Sequence, residues 1–341
     1  MTSKYPLSLA ILSLVLAGNT SQASDKLNLV CSAEQSWCDL MVSGFVKKTG
    51  IEVAMVRKST GETLAQIRAE AKNPKIDVWW GGTGDPHLIA ASEDLTQPSN
   101  VDTSDLLGWA VNMSKISKGK TVGIYAGALG IAYNRELLKE KKLNAPKCWK
   151  DLADVAYAGE IQVANPNSSG TAYTELATLT QLFGEDEAFS LLTKIGKNVN
   201  QYTKSGSAPS KAAARGETAI SIGFMHDMVK LASKGFPLEV VAPCEGTGYE
   251  VGAVSIIKGA KNFEAAKQWV EYALDPAVQS RSVEVKAFQV PSNSKSSVAP
   301  ESPDLASIKL IDYDFAEYGI SSTRQRLLAR WDKEVKNASK N

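Results

Sequence analysis

Five short loops rich in serine, threonine and glycine are the segments best suited to chemistry, and that chemistry is anion binding. They cover residues 32–36, 59–61, 81–83, 165–171 and 205–209. Each is expected to lie at the carboxyl end of a strand, where open α/β sheets bind ligands. Backbone N–H groups at a helix start hold an anion without any charged side chain. For a single loop, the alternative is that serine and glycine only cap a helix.

Motifs of nucleophilic, metal-dependent and nucleotide-dependent enzymes are absent from the sequence. It contains no GxSxG elbow, no phosphate loop ending in Gly-Lys-Ser/Thr, no HExxH and no GxGxxG. The two histidines are His87, in the first turn of a predicted helix and assigned a structural role, and His226. A Ser-His-Asp triad needs no adjacency in sequence, so a secreted phosphoester hydrolase stays an alternative.

Length and charge restrict the class of protein. The chain has 341 residues, 43% of them hydrophobic, with 38 Lys plus Arg against 37 Asp plus Glu. The length suggests two domains or one large two-lobed body. The near-neutral charge gives no basic excess for neutralising phosphates, so no nucleic-acid partner is expected.

The N-terminus has the pattern of a secretory signal peptide. Lys4 is followed by an apolar run over residues 7–17 and by small residues before a cleavage site near Ala23. The run is too short to span a bilayer of roughly 30 Å as a helix. We therefore predict an exported protein that resides in the periplasm, the alternative being a buried N-terminal helix.

The four cysteines are candidates for disulfide formation, because an exported protein reaches an oxidising compartment. Cys31, Cys38, Cys148 and Cys244 form an even set, which predicts two disulfides with three possible connectivities. We favour Cys31–Cys38 with Cys148–Cys244, and free thiols remain the alternative. A zinc site is disfavoured because no CxxC or histidine lies at ligand spacing.

Short apolar runs alternate with helical patterns along the chain, which predicts an α/β protein. Strands are predicted over residues 27–30, 52–56, 76–80, 122–125, 130–133, 160–164, 219–223, 238–242 and 252–257. Helices are predicted over residues 35–49, 63–71, 171–183, 186–195, 209–215, 263–274 and 321–335, and another begins at Asp85-Pro86. Trp37, Trp79 and Trp80 lie near the first loops, where an aromatic face could pack on a ligand.

Five segments, in their order, resemble one family. They read IDVWWGGTGDPHL (76–88), LGIAYNRELL (129–138), PNSSGTAYT (166–174), ARGETAISIGFMHD (214–227) and AAKQWVEYALDPAVQ (265–279). The chain resembles the periplasmic solute-binding proteins of ABC importers, in the ferric-ion and anion-binding group (extracellular solute-binding family 1). It looks most like the hexose-phosphate-binding members, over residues 25–335.

The resemblance implies an α/β, two-lobed periplasmic binding protein type II fold with hinge-connected lobes. Residues 24–125 together with 258–341 would form lobe 1, and residues 126–257 would form lobe 2, after a signal peptide at 1–23. The crossing strands are expected near residues 122–130 and 250–257.

One departure from the family pattern bears on the ligand. Ferric binders of this group hold iron with two consecutive tyrosines after the strand that here reads AISIGF, whereas this chain has Met225, His226 and Asp227 there. Because Fe(III) favours phenolate and carboxylate oxygen, we predict no bound metal and no cofactor. A ferric-iron receptor with a synergistic anion is kept as an alternative.

The resemblance thus implies a receptor that captures a phosphorylated sugar or similar organophosphate, a small anionic solute. It would act as a monomer and deliver the solute to an inner-membrane ABC permease. A sensory protein that reports the ligand to a membrane receptor would close its lobes in the same way and stays an alternative. His226, Asp227 and Glu250 would bind hydroxyls, the alternative for His226-Asp227 being a helix cap beside a core histidine. The predicted phosphate-binding residues are Ser32, Thr60, Gly82, Thr83, Ser169, Gly170, Thr171, Ser205 and Ser207.

Overall fold

A computed structural model describes Met1 and residues 26–336 of the chain. The predicted signal peptide and its cleavage site near Ala23 lie, apart from Met1, outside the described residues. Over the part that is described, no helix combines the length and the apolar character needed to cross a membrane.

Eleven strands within residues 26–336 form one continuous mixed sheet. The main path runs β2-β1-β3-β10-β5-β8-β6-β7, with β4 beside β10 and with β9 and β11 beside β5. The strands are β1 (Lys26–Cys31), β2 (Glu52–Arg57), β3 (Val78–Thr83), β4 (Thr96–Gln97), β5 (Val122–Asn134), β6 (Ile161–Ala164), β7 (Val199–Thr203), β8 (Ile220–Phe224), β9 (Leu238–Val241), β10 (Tyr249–Ile257) and β11 (Val290–Pro291).

Helices alternate with these strands, which confirms the predicted α/β class. Short 3-10 helices cover Lys150–Ala153, Val155–Tyr157 and Arg281–Val285. The α-helices of the described chain are α1 (Gln35–Thr49), α2 (Thr60–Ala69), α3 (Gly84–Ser92), α4 (Gly108–Ile116), α5 (Arg135–Lys141), α6 (Gly170–Phe183), α7 (Glu185–Asn198), α8 (Ala208–Ala214), α9 (Met225–Ala232), α10 (Phe263–Leu274), α11 (Pro276–Ser280), α12 (Phe315–Tyr318) and α13 (Ser321–Glu334).

Strand β5 connects the two halves of the sheet. Its first part pairs with β10 and its second part with β8, both antiparallel. The sequence predicted two separate strands here, which is wrong, because the glycines between them do not interrupt the strand. They lie where side chains approach the backbone: a Cβ at Gly127 would be 2.4 Å from His226 Nδ1, and one at Gly130 would be 2.5 Å from Met225 Cγ.

Two large hydrophobic cores lie along the sheet, one at each half. The first core contains Phe45 and Trp269, and the second contains Trp149 and Phe189. Helix α13 packs Leu327 and Trp331 into the second core, although the sequence analysis assigned this helix to lobe 1. The boundaries of the lobes stay a prediction. The packing of α13 is relevant to the lobe in which residues 321–335 belong.

Both predicted disulfides are present. Cys31 is bonded to Cys38 at a sequence separation of 7, and Cys148 is bonded to Cys244 at a separation of 96. The first bond fixes the end of β1 to the first turns of α1. The second joins the segment before the 3-10 helix Lys150–Ala153 to the loop that leads into β10.

Candidate functional site

Six helices begin shortly after the carboxyl ends of strands, and all six starts border one cleft cavity. Helices α1, α2 and α3 follow β1, β2 and β3 in the first half of the sheet, and α6, α8 and α9 follow β6, β7 and β8 in the second. The cleft cavity contains about 460 Å³ of empty space, its opening to solvent included. Because its walls come from both halves of the sheet, a ligand here would contact both.

The structure brings eleven of the twelve predicted ligand-binding residues to this cavity. They are Ser32, Thr60, Gly82, Thr83, Ser169, Gly170, Thr171, Ser207, His226, Asp227 and Glu250. Ser205 is the exception: it does not line the cavity, and its carbonyl accepts hydrogen bonds from Thr203 Oγ1 at 2.9 Å and from the Ala208 N–H at 3.2 Å. Ser205 therefore shapes the turn before α8, and its contact with a ligand stays a prediction that this cavity does not support.

One end of the cavity consists of hydroxyl groups and backbone N–H groups. The Thr60 and Thr83 hydroxyl oxygens are 3.5 Å apart, and a Cβ placed at Gly170 would be 2.2 and 2.0 Å from them. The N–H groups of Gly170 and Thr171 are in the first turn of α6, where no intrahelical acceptor exists. This hydroxyl end therefore offers donors at close range, and glycine is required for the two walls to meet.

Tyr125 is a lining residue that sequence reasoning missed. Its hydroxyl accepts a hydrogen bond from the Gly82 N–H at 2.7 Å, which leaves its own proton to donate. Burial, and then the charge of Glu250, raise the pKa of this phenol well above its ordinary value. Tyr125 therefore stays protonated and adds a neutral donor. Its place within a strand gave no signal for such a role.

The other end of the cavity carries ionisable side chains. His226 Nε2 lies 3.7 Å from Glu250 Oε1 and 3.9 Å from Asp227 Oδ1, and both His226 and Glu250 are buried. Burial lowers the pKa of His226 to about 3, against the opposing charge of Glu34. Burial, followed by the charge of Asp227, raises the pKa of Glu250 well above its ordinary value. Both shifts favour the uncharged forms, neutral imidazole and protonated carboxyl.

Asp227 has an intermediate character. Burial raises its pKa to about 7, and the charge of Glu34 adds to the effect, while Lys211 and Lys230 oppose it. The ionisable end thus offers hydrogen-bond donors and acceptors with little fixed charge. That pattern suits hydroxyl groups, each of which both donates and accepts.

Glu34 and Arg57 also line the cavity and were not predicted. Glu34 follows β1, accepts a hydrogen bond from Ser207 Oγ and pairs with Lys211 Nζ at 2.9 Å. Burial raises the pKa of Glu34, but the charge of Lys211 and the hydrogen bonds outweigh burial, so the pKa is lowered overall. Arg57, at the end of β2, donates from Nε to the Ala33 carbonyl at 3.1 Å. Their positions at strand ends were the signal that could have identified them.

Clusters of possible metal ligands are rare among the described residues. The one group of three or more His, Cys, Asp or Glu side chains whose ligand atoms all lie within 4.8 Å of each other is Cys148, Cys244 and Glu245. Both cysteines of that group are in a disulfide, so neither offers a thiolate. His226 and Asp227 do not belong to a group of three or more possible metal ligands among the described residues.

A family model described as bacterial extracellular solute-binding protein matches residues 90–318. The chain belongs to this family. An uncharacterised protein of Haemophilus influenzae is 42% identical over 335 residues, which is 97% of each chain. The match extends across nearly the whole of this solute-binding protein.

Solved structures place the fold of this solute-binding protein among type II periplasmic binding proteins. The periplasmic binding protein AfuA from Actinobacillus pleuropneumoniae, with exogenous fructose-6-phosphate bound, is 42% identical with a TM-score of 0.89; the match covers 91% of this chain and 98% of that one. The periplasmic binding protein P5PA is 36% identical with a TM-score of 0.88, covering 91% and 99% of the two chains. The predicted two-lobed fold is confirmed.

The aromatic residues of this solute-binding protein differ from expectation. Trp37, Trp79 and Trp80 are all buried, and none lines the cleft cavity. Trp79 stacks on His87, whose Nδ1 is 2.8 Å from Ser255 Oγ, in keeping with a structural role for this histidine. The aromatic side chains at the cavity are Tyr125 and Phe224.

Proposed function

We propose that this protein binds a phosphorylated sugar or similar small organophosphate in the cleft cavity and delivers it to an inner-membrane ABC permease. The observation that carries the proposal is the division of one cavity into a hydroxyl end around Gly170 and an ionisable end around His226. A phosphate needs many donors on one side, and a polyol needs mixed donors and acceptors on the other.

The hydroxyl end suits a phosphate group. The first N–H groups of α6 and the hydroxyls of Thr60, Thr83 and Thr171 supply short hydrogen bonds to anionic oxygens. Tyr125 adds a further donor, and among the described residues Arg57 is the one Lys or Arg that lines this cavity. The phosphate is then held from both halves of the sheet by hydroxyl and N–H groups at helix starts.

The ionisable end suits the hydroxyl groups of a sugar. Neutral His226 and protonated Glu250 each combine donor and acceptor atoms, and Asp227 adds acceptors. A buried polar site built for hydroxyls rejects analogues that lack them, because its own groups are then left without partners. This end would distinguish a sugar phosphate from inorganic phosphate.

Two relatives support a phosphorus-containing ligand. AfuA, at 42% identity, was solved with fructose-6-phosphate bound. A protein of Salmonella typhimurium named as a putative 2-aminoethylphosphonate-binding periplasmic protein is 24% identical over 255 residues, 73% of this chain and 72% of that one. Both ligands combine a phosphorus oxyanion with a polar organic part.

The proposal includes export and hinge closure. After removal of residues 1–23, residues 24–125 with most of 258–341 form lobe 1, and residues 126–257 form lobe 2. The packing of Leu327 and Trp331 into the second core favours moving α13 to lobe 2. The lobes then close on the ligand by bending where β5 and β10 pass between them.

Calorimetric titration tests this function. Glucose 6-phosphate and fructose 6-phosphate should bind tightly, while free hexoses and inorganic phosphate should bind weakly or not at all. No heat with any organophosphate would refute the proposal. Release of inorganic phosphate from the bound hexose phosphate would favour a hydrolase instead, and a visible charge-transfer band on adding Fe(III) would favour an iron receptor.

A further inference from the structure

A second cavity lies beside the cleft cavity and shares part of its wall. The two have Glu34, Ser207 and Asp227 in common, and the second contains about 610 Å³ of empty space. Glu34, bonded to Ser207 and Lys211, stands between them. The second cavity is therefore adjacent to the proposed ligand site, and the hydrogen-bonded Glu34 side chain belongs to the wall that they share.

The two cavities differ in their basic side chains. The second cavity, which we call the lysine chamber, is lined by Lys211, Lys230 and Lys234. Among the described residues, the cleft cavity has one basic side chain, Arg57. The carboxylates facing the lysine chamber are Glu34 and Asp227. Three ammonium groups against two carboxylates leave an excess of positive charge, and Asp227 is only partly ionised near pH 7 because burial raises its pKa to about 7.

The three lysines are not equally engaged. Lys211 pairs with Glu34, and Lys230 Nζ donates to Ser36 Oγ at 3.2 Å. The side chain of Lys234 is exposed and makes no hydrogen bond or ion pair with another residue of the described chain. The charge of Lys234 is therefore available to an anion that arrives from solvent.

We propose that the lysine chamber is an entry site, which holds the phosphate group of the ligand before it passes Glu34 into the cleft cavity. The inference rests on the proposed function, since it assumes an anionic ligand. Hydrogen-bond donors such as the Gly170 N–H act over a few ångströms, whereas ammonium charges act over about a Debye length, roughly 8–10 Å at moderate salt. Fixed charges beside a cleft raise the association rate of an oppositely charged ligand. The hydroxyl end then retains what the lysines attract.

The rate constants of binding test this entry site. Stopped-flow tryptophan fluorescence with glucose 6-phosphate gives the association and dissociation rate constants at several salt concentrations. Two variants remove positive charge from the lysine chamber. Lys234→Gln breaks no hydrogen bond or ion pair between described side chains, and the double variant is Lys230→Gln/Lys234→Gln. The matched control is Lys194→Gln/Lys197→Gln, on exposed positions of α7 away from both cavities.

We expect the double variant to bind about fivefold more slowly at low salt, with Lys234→Gln intermediate and the control unchanged. The dissociation rate constant should be unaffected in Lys234→Gln and in the control, and the salt dependence of association should be weaker in both variants that remove lysines of the chamber. An unchanged association rate in the double variant would overturn the entry site, as would a loss expressed only in dissociation. Failure of the unmodified protein to bind any hexose phosphate would instead refute the proposed function.

Discussion

The two ends of the cleft cavity differ in the kind of polar group that they present to a ligand. The end proposed for the charged phosphate is built mainly of neutral groups, namely threonine hydroxyls and N–H groups such as that of Gly170. The end proposed for the neutral sugar hydroxyls carries three ionisable side chains, His226, Asp227 and Glu250. Ionisable side chains would be a poor match for neutral hydroxyl groups if they were charged.

Burial explains the difference. It lowers the pKa of His226 and raises that of Glu250, and both shifts favour uncharged groups that still form hydrogen bonds. At the other end the N–H dipoles of α6 are fixed by the helix and need no counterion. Residue type alone therefore misstates the charge that each end presents to a ligand. Changing one group at a time can break or sharpen this contrast.

The largest effect is expected at the hydroxyl end, from Gly170→Ala. The added Cβ would lie 2.0 Å from Thr83 Oγ1 and 2.2 Å from Thr60 Oγ1, so the walls could not meet around a phosphate. We expect the affinity for glucose 6-phosphate, measured by calorimetry, to fall about 100-fold, or roughly 2.7 kcal/mol. Gly108→Ala is the matched control, since no atom lies within 4 Å of a Cβ there. Wild-type affinity in Gly170→Ala would contradict the close approach.

A smaller loss is expected at the ionisable end, from Glu250→Leu. Removing a buried hydroxyl partner should weaken binding of glucose 6-phosphate about 30-fold, or roughly 2 kcal/mol. Glu250→Gln keeps both the shape and a hydrogen-bond donor, and the raised pKa of Glu250 favours the neutral form that Gln imitates. The Gln variant should stay within about threefold of the wild type. If both variants lost affinity equally, the carboxylate charge itself would be required.

The protonation of His226 gives a prediction for stability. Its pKa is about 3 in the folded chain against an ordinary value of 6.5, so on acidification the unfolded chain takes up a proton that the folded chain does not. Stability should therefore fall as the pH falls through this window, by about 1 kcal/mol from His226 between roughly pH 6.5 and 5.5.

Urea unfolding of the ligand-free protein measures this contribution. His226→Gln should remove it, so the variant should lose about 1 kcal/mol less than the wild type over the same interval. His87, whose pKa burial also lowers to about 3, remains in both proteins and serves as an internal reference. Identical pH dependence in the two proteins would show that His226 is accessible to protons when folded.

The smallest effects concern two neighbouring serines. Ser207→Ala removes the hydroxyl that donates to Glu34 and should lower the affinity about threefold, in line with one net hydrogen bond. Ser205→Ala should leave the affinity unchanged, because Ser205 participates through its carbonyl. The same calorimetric titration compares them directly. A larger loss in Ser205→Ala than in Ser207→Ala would restore Ser205 to the ligand.

Much of this site could be predicted from sequence because its parts are local. Helix starts such as Gly170-Thr171 are marked by capping residues and by the strand that precedes them, and strand ends of one sheet edge converge by geometry. The two disulfides followed from the compartment and the small number of cysteines. Local rules thus identified most of the cavity wall.

The residues that were missed depend on contacts between distant segments. Tyr125 reaches the Gly82 N–H across strands, and nothing in its own segment marks this contact. Gly127 resembles a break in a strand until His226 is known to lie against it. The burial that fixes the protonation of Glu250 is likewise a property of the assembled fold.

The Cys148–Cys244 bond turns most of the second half of the sheet into a covalent ring. Strands β6, β7, β8 and β9 and helices α6–α9 all lie between the two cysteines. A single proteolytic cut inside this ring would leave the polypeptide in one piece under non-reducing conditions. In the unfolded chain the ring also restricts the freedom of about a hundred residues, an entropic restriction on the order of 4 kcal/mol. Folding of this part is therefore expected to depend on oxidation of the two thiols.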